Sequence, residues 1–186
     1  MKNNKLMNVT KVVSKIIEVF NWVGAVLMLC ATIFSLAKPS LVDKFLKLDT
    51  TGKTVEMNTY GLEIEAPIIN GMVSMKHVFV FGIFAVIALC LMAMIFRNMN
   101  LIIKRSEKES PFCKDNIRMV REIGIFSIAI PVVGIIMSIV ATLVFGGENV
   151  ETSNNMFCIF MGIMVLGLNE FFIHGAELEE DVEGLV

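Results

Sequence analysis

The sequence predicts a membrane protein of the all-α class: a bundle of four transmembrane helices with a small β-hairpin in the loop between helices 1 and 2. Four long stretches carry at most one charge each, and each is long enough to cross a bilayer as a helix. The chain has 186 residues, of which 55% are hydrophobic and 18% charged, more apolar surface than one core of this size could hide. We therefore expect a single integral membrane domain over residues 1–186, with spans at residues 17–37, 78–98, 123–146 and 154–174.

The first two spans are predicted by their insertion energies. Nine Leu, Ile, Phe or Val residues lie between Val19 and Ala37. At about −0.3 to −0.6 kcal/mol each, they contribute about −3 to −5 kcal/mol, and no central Lys opposes them. Residues 78–98 repeat this pattern. A cleavable signal peptide is the alternative for the first span, because Ser35-Leu36-Ala37 follows a Lys-rich start and resembles a cleavage site.

The third and fourth spans each carry a special feature. Pro131 lies inside residues 123–146 and is the expected site of a helix kink, since proline removes one backbone donor. The purely apolar part of the fourth segment is short. If this segment crosses the bilayer as a helix, Asn169 and Glu170 must lie within the cytoplasmic boundary of the membrane. A re-entrant or interfacial helix is the alternative there.

The distribution of basic residues predicts the orientation. Eleven Lys and Arg residues precede the first span or lie in the loop at residues 97–122, against five in the loop at residues 38–77. The positive-inside rule therefore places the amino terminus, the loop at 97–122 and the acidic tail at 175–186 in the cytoplasm. The loop at 38–77 is then extracytoplasmic.

The extracytoplasmic loop contains strand-like alternation. Leu62, Ile64 and Ala66 fall on one face and the intervening glutamates on the other, which is typical of a half-buried strand. A turn at Thr51-Gly52, between residues 45–48 and 55–57, predicts a hairpin. We expect two or three short strands here.

The cytoplasmic segments carry the candidate interaction residues. Pro111 disfavours helix at Ser110, and a helix can restart near Asp115. Its exposed cations at i, i+4 and i+7 are Lys114, Arg118 and Arg121, which we call the basic face. The acidic tail contributes Glu179, Glu180 and Asp181. One hypothesis is that the tail pairs with the basic face until a cytoplasmic partner or anionic lipid competes; the alternative is that the cations only follow the positive-inside rule.

Three polar residues at the inner end of the fourth span are candidate buried polar groups: Asn169, Glu170 and His174. Glu170 and His174, one helical turn apart, could sense protons or bind a cation, although such side chains often extend to the headgroups.

The four cysteines lack the paired spacing of a zinc site. No catalytic, metal or cofactor-binding residues are predicted, and the basic loop is too short and too closely tethered to predict direct nucleic-acid binding.

Two short patterns resemble a known family. The segment Ser110-Pro111-Phe112 precedes a helix with Asn, Arg and Gly. Near the end of the sequence a loosely spaced pattern consists of Phe171 or Phe172, then Gly175, Leu178 and Asp181. Over nearly its whole length the chain resembles the bacterial family known as domain of unknown function 2975, although Cys113 stands where Thr or Ser is commoner. The resemblance implies a multi-pass protein of the bacterial inner membrane, often encoded beside a small helix-turn-helix regulator.

These observations lead to three functional hypotheses. The first is a non-enzymatic sensory or regulatory membrane protein that acts on a cytoplasmic helix-turn-helix regulator. The second is immunity or self-protection against a membrane-active peptide. The third is a small transporter or a membrane enzyme. Transport would call for intramembrane charges or repeated halves, of which the spans supply only Glu170, and catalysis would call for convergent nucleophile, base or metal ligands, which the two His and scattered Cys do not supply. The lipid bilayer is the expected surrounding in every case, and a homo-oligomer is compatible with each.

Overall fold

The computed structural model describes residues 5–46, 53–107, 109–146, 152–154 and 157–184. Its helices are α1 (Lys5–Ala37), α2 (Pro39–Leu46), α3 (Met75–Ser106), α4 (Lys114–Phe145) and α5 (Phe157–Glu183). Its strands are β1 (Thr54–Thr59), β2 (Leu62–Ile69), β3 (Met72–Val73) and β4 (Thr152–Asn154). The helices α1, α3, α4 and α5 are long and apolar enough to cross a membrane. The predicted helical class, with four candidate spans, is confirmed at this level.

The chain forms two compact units. Unit 1 comprises residues 1–21, 91–129 and 157–186, and it therefore holds the beginning of α1, the end of α3, the beginning of α4 and all of α5. Unit 2 comprises residues 22–90 and 130–156, with α2, the strands and the remaining parts of α1, α3 and α4. The helices extend past the predicted spans: α1 begins at Lys5, and α5 continues to Glu183.

Helix α4 runs through Pro131 without interruption, and the proline is buried. The ring leaves the carbonyl of Ser127 without its usual helical donor, because proline has no N–H. The Ser127 hydroxyl itself donates back to the Ile123 carbonyl at 2.8 Å, a bond that often accompanies helix bending. The kink stays a prediction.

The sheet is built around β2. Strand β1 pairs with it in antiparallel register through the tight turn Tyr60-Gly61, where both residues have positive φ (49° and 82°) as a type I′ turn requires. Asn70-Gly71 makes the same kind of turn into β3, with φ of 53° and 76°. Strand β4, from the connection between α4 and α5, also pairs with β2.

One face of β2 is buried as predicted. Leu62, Ile64 and Ala66 are 1%, 0% and 0% exposed and belong to the core of unit 2, together with Val55 and Met57 from β1. The two residues that alternate with them, Glu63 and Glu65, are only half-buried. The expected face assignment is thus confirmed, and it fixes the strand register because a shift by one residue would bury the glutamates.

The hairpin predicted at Thr51-Gly52 is wrong in its first strand. Phe45 and Leu46 belong to helix α2, while Thr51-Gly52 itself lies outside the described residues. Pro39 is well suited to the first helical position, and the apolar residues that follow it recur with helical rather than alternating spacing. The Asn-Gly and Tyr-Gly pairs farther along the loop make the turns instead.

Within unit 1, glycines allow α4 and α5 to approach closely. A Cβ added to Gly162 would lie 2.8 Å from the carbonyl oxygen of Gly124 and 2.5 Å from the side chain of Ile128. Real Cβ atoms do not approach a backbone oxygen so closely, so glycine is required at this crossing. The contact sets how the beginning of α4 and α5 pack together.

Candidate functional site

The segment Ser110-Pro111-Phe112, which we call the SPF segment, is held in a fixed turn. The Cys113 N–H donates to the Ser110 carbonyl at 3.2 Å, and the Phe112 N–H donates to the Ser110 hydroxyl oxygen at 3.2 Å. Asn116, which is completely buried, donates from its side-chain amide to the Pro111 carbonyl at 3.2 Å. The first turn of α4 therefore fastens the loop that precedes it.

The SPF segment packs directly on α5. The Phe112 ring meets the ring of Phe172 edge to face, with centroids 5.6 Å apart and an interplanar angle of 65°. It also covers Gly175 so closely that a Cβ there would lie 2.7 Å from two atoms of the ring. Beside them, the Ser110 hydroxyl donates to a carboxylate oxygen of Glu179 at 2.5 Å. The two patterns that carry the family resemblance, distant in sequence, are thus in contact.

An open cavity of about 390 Å³ lies where these two segments meet. Its lining residues are Ser110, Phe112, Cys113, Lys114, Ala176, Glu179 and Glu180. We call this cavity and its rim the loop-tail site. Its wall combines apolar surface from the phenylalanine with one cation and two carboxylates.

The basic face is arranged as its spacing predicts. Lys114, Arg118 and Arg121 are all exposed on α4, whereas Val120 and Gly124, on the other side of the helix, are buried. Arg118 pairs along its own helix with Glu122, with 3.5 Å between Nε and the carboxylate oxygen. The face is therefore accessible as one surface beside the loop-tail site.

The tail reaches the loop through a contact other than the hypothesised pairing with the basic face. Among the residues that the structure describes, no ion pair joins the basic face to Glu179, Glu180 or Asp181. The connection is the hydrogen bond between Ser110 and Glu179, together with the packing of Phe112. Lys114 lines the same cavity as Glu179 and Glu180 without an ion pair to either of them.

Other polar contacts hold the neighbouring helix ends of unit 1. Arg105, at the end of α3, pairs with Asp115 at the start of α4. Lys11 of α1 pairs with Glu107 at 2.8 Å, and the side-chain amide of Asn100 donates to the Lys11 carbonyl at 2.8 Å. The beginning of α1 is thereby tied to the end of α3.

The three polar candidates on α5 separate in the structure. Asn169 is buried, 4% exposed, on the same helical face as Gly162, seven residues earlier. Glu170 and His174 instead lie on exposed faces, and His174 pairs with Glu177 at 3.0 Å rather than with Glu170. Asn169 is thus enclosed by protein while Glu170 and His174 face outward, since a residue one position along a helix is turned by about 100°. Burial of Glu170 and His174 in the membrane stays a prediction.

Sequence reasoning missed Ser14 and Glu18 of a polar stripe on α1. Ser14, Glu18 and Asn21, at i, i+4 and i+7, are all buried, and Glu18 lies inside the predicted span at 17–37 with Lys15 as its ion partner at 3.0 Å. On α3, Asn98 is also buried and donates to a carboxylate oxygen of Glu122 at 2.9 Å. The helical spacing of polar residues in an otherwise apolar segment was the available signal.

No group of three or more His, Cys, Asp or Glu residues that could hold a metal ion occurs in the described part of the chain.

Comparison of the chain with protein-family models, with curated proteins and with solved structures found no match. The arguments about function therefore start from the contacts of this chain.

Proposed function

We propose that this chain is a non-enzymatic, multi-pass protein of the bacterial inner membrane that regulates a cytoplasmic protein through its loop-tail site. The observation that carries the proposal is the packing of Phe112 on Gly175 with the accompanying bond from Ser110 to Glu179. These contacts join two segments far apart in sequence into one exposed surface.

The proposed orientation places the loop-tail site in the cytoplasm with both termini. The charge distribution supports this placement, because eleven basic residues lie ahead of the first predicted span or in the predicted cytoplasmic loop at residues 97–122. Alkaline phosphatase fused after Gly184 should be inactive, and the same fusion in the β1–β2 turn, at residues 60–61, should be active. Activity of the first fusion would refute the orientation.

We further propose membership of the domain of unknown function 2975 family and a helix-turn-helix regulator as the partner. The resemblance carried by the SPF segment and the spaced tail residues supports both. The exposed cations of the basic face provide long-range attraction for an acidic surface, while the cavity beside them provides apolar contact through Phe112. The protein would act as a sensor if a signal changed the conformation of its membrane-spanning part and thereby released the bound regulator.

Co-purification in mild detergent tests the partner. The tagged wild-type chain should retain a cytoplasmic protein, and the double variant Lys114→Glu with Arg121→Glu should lose it. Lys104→Glu is the matched control, because Lys104 is an exposed cation at the end of α3 and does not belong to the basic face. Equal retention by all three proteins, or retention by none, would contradict the proposal.

A second candidate function is immunity against a membrane-active peptide, and one feature of the sheet favours it. Glu56 of β1 lies directly opposite Glu65 of β2, and its carboxyl group shares a hydrogen bond with Glu63. Like charges placed opposite each other destabilise a sheet, while an acidic face attracts cationic peptides. Greater peptide sensitivity of a deletion strain, reversed by wild type but not by a variant with all three glutamates changed to glutamine, would favour this function.

A further inference from the structure

Helix α2 leaves an open apolar groove beside the end of α1, in unit 2. The groove has a volume of about 390 Å³. Its walls are Ala31 and Phe34 from α1, and Leu41, Val42, Phe45 and Leu46 from α2. Every one of these side chains is apolar, and Phe45 is 75% exposed. Apolar side chains clustered with this exposure identify a surface that contacts something other than water.

The orientation of α2 is fixed by its polar side. A carboxylate oxygen of Asp43 accepts a hydrogen bond from the Val73 N–H at 2.7 Å, which ties α2 to strand β3. Asp43 lies two positions from both Leu41 and Phe45, and two positions correspond to about 200° around a helix. The bond to the sheet therefore turns the apolar side of α2 away from the sheet.

The depth of the groove matches a membrane interface. Ala31 and Phe34 precede Ala37, the end of a candidate span, by six and three residues, or about 9 and 4.5 Å along the helix axis. Amphipathic helices lying on a bilayer insert their apolar face to a depth of about 5–10 Å. The groove therefore begins at the helix end and extends to the depth at which acyl chains start.

Charge at the same end complements a phospholipid headgroup. Lys38 lies between α1 and α2, and Lys44 lies on α2; both are exposed. Each ammonium can contact a lipid phosphate while its alkyl stem covers apolar surface. A protein partner of the same surface would have to match both a purely apolar groove and this depth, whereas a phospholipid supplies the two together.

We propose that α2 lies in the plane of the membrane interface and that its groove binds an acyl chain of a phospholipid, with the headgroup phosphate near Lys38 and Lys44. This inference rests on the proposed membrane location. It adds a specific lipid site at the end of α1 and places the sheet, through Asp43, directly at the membrane surface.

Fluorescence quenching by brominated lipids tests the position of α2. The chain has one tryptophan, so Trp22→Phe provides a silent background into which Phe45→Trp is introduced. Ile87→Trp, at an exposed apolar position of α3, serves as the control within a span, and Tyr60→Trp, in the exposed β1–β2 turn, as the control outside it. The proteins are reconstituted in phosphatidylcholine-phosphatidylglycerol vesicles with bromine near the carbonyl end of the acyl chain or near its methyl end.

Tryptophan at position 45 should lose emission mainly with the bromine near the carbonyl end, while tryptophan at position 60 should be unaffected. Quenching at 87 without quenching at 45 would overturn the inference and leave the membrane location intact. The absence of quenching at both 45 and 87 would refute the membrane location itself. The three variants thus separate the two failures.

Lipid retention tests the groove. Native mass spectrometry of the detergent-purified protein should show one phospholipid fewer on Ala31→Phe, because the added ring fills the groove. Ile87→Phe, which places the same aromatic side chain on another exposed helix surface, should retain the wild-type number. Equal retention by both variants would contradict an acyl chain in the groove.

Discussion

Gly175 provides the sharpest test of the loop-tail site. Replacing it by alanine would place a Cβ 2.7 Å from two atoms of the Phe112 ring, so the ring must move away from α5. Overpacking of this kind costs about 1–3 kcal/mol. The movement would also draw the SPF segment away from the carboxylate of Glu179 that Ser110 now binds.

The matched control lies on the same helix. A Cβ at Gly167 would meet no atom within 4 Å, so Gly167→Ala carries the general benefit of alanine in a helix, about 0.5–1 kcal/mol, without a clash. This benefit is common to both variants, and their difference in unfolding free energy isolates the steric cost of about 1–3 kcal/mol. At about 2–4 °C per kcal/mol for a chain of this size, Gly175→Ala should melt about 2–12 °C below Gly167→Ala.

Thermal unfolding in one detergent, followed by the fluorescence of a thiol-reactive dye, gives both melting temperatures. In a Phe112→Ala background, Gly175→Ala should lower the melting temperature little or not at all, since the clash needs both the Cβ and the ring. Equal melting temperatures for Gly175→Ala and Gly167→Ala would refute the packing of Phe112 on α5. Additive losses in the double variant would do the same.

Three further predictions concern other contacts. Gly162→Ala should destabilise the protein more than Gly167→Ala, by melting temperature, because its Cβ would meet the rigid carbonyl of Gly124 at 2.8 Å. Asn116→Ala should cost about 1–3 kcal/mol and speed protease cleavage within residues 107–113, because the amide that holds the loop is lost; unchanged cleavage would refute this role. The hydrogen bond and negative charge of Glu63 raise the pKa of Glu56, so the folded state binds the proton more tightly than the unfolded chain. Stability should therefore fall as the pH rises through the raised pKa of Glu56, and Glu56→Gln should remove this part of the pH dependence in melting curves.

The buried polar residues of unit 1 bear on the transporter hypothesis, which the sequence connects with Glu170. Glu170 is exposed, whereas Glu18, inside the first predicted span, is 7% exposed and paired with Lys15. A buried carboxylate in a span is a recognised feature of ion pathways, although a paired one also serves to hold helices together. Loss of stability in Glu18→Gln without any change in ion flux across vesicles would favour the second role.

The sequence by itself determined the four long apolar helices, the exposed basic face on α4 and the buried alternation of Leu62, Ile64 and Ala66. Each depends on hydropathy or on the period of one element, and both can be read along the chain without knowing its neighbours. In α2 two local signals compete: the helical spacing of its apolar residues outweighs the turn pattern at Thr51-Gly52, so the segment expected as a strand forms a helix.

Only the tertiary structure decided which of these elements touch. The packing of Phe112 on Gly175, the addition of β4 to β2 and the burial of Asn169 all depend on how helices and strands meet across long stretches of chain. Such contacts follow from the shapes of two surfaces together, and neither surface reveals its partner in its own spacing. The loop-tail site belongs to this second kind, because half of it comes from the loop before α4 and half from α5.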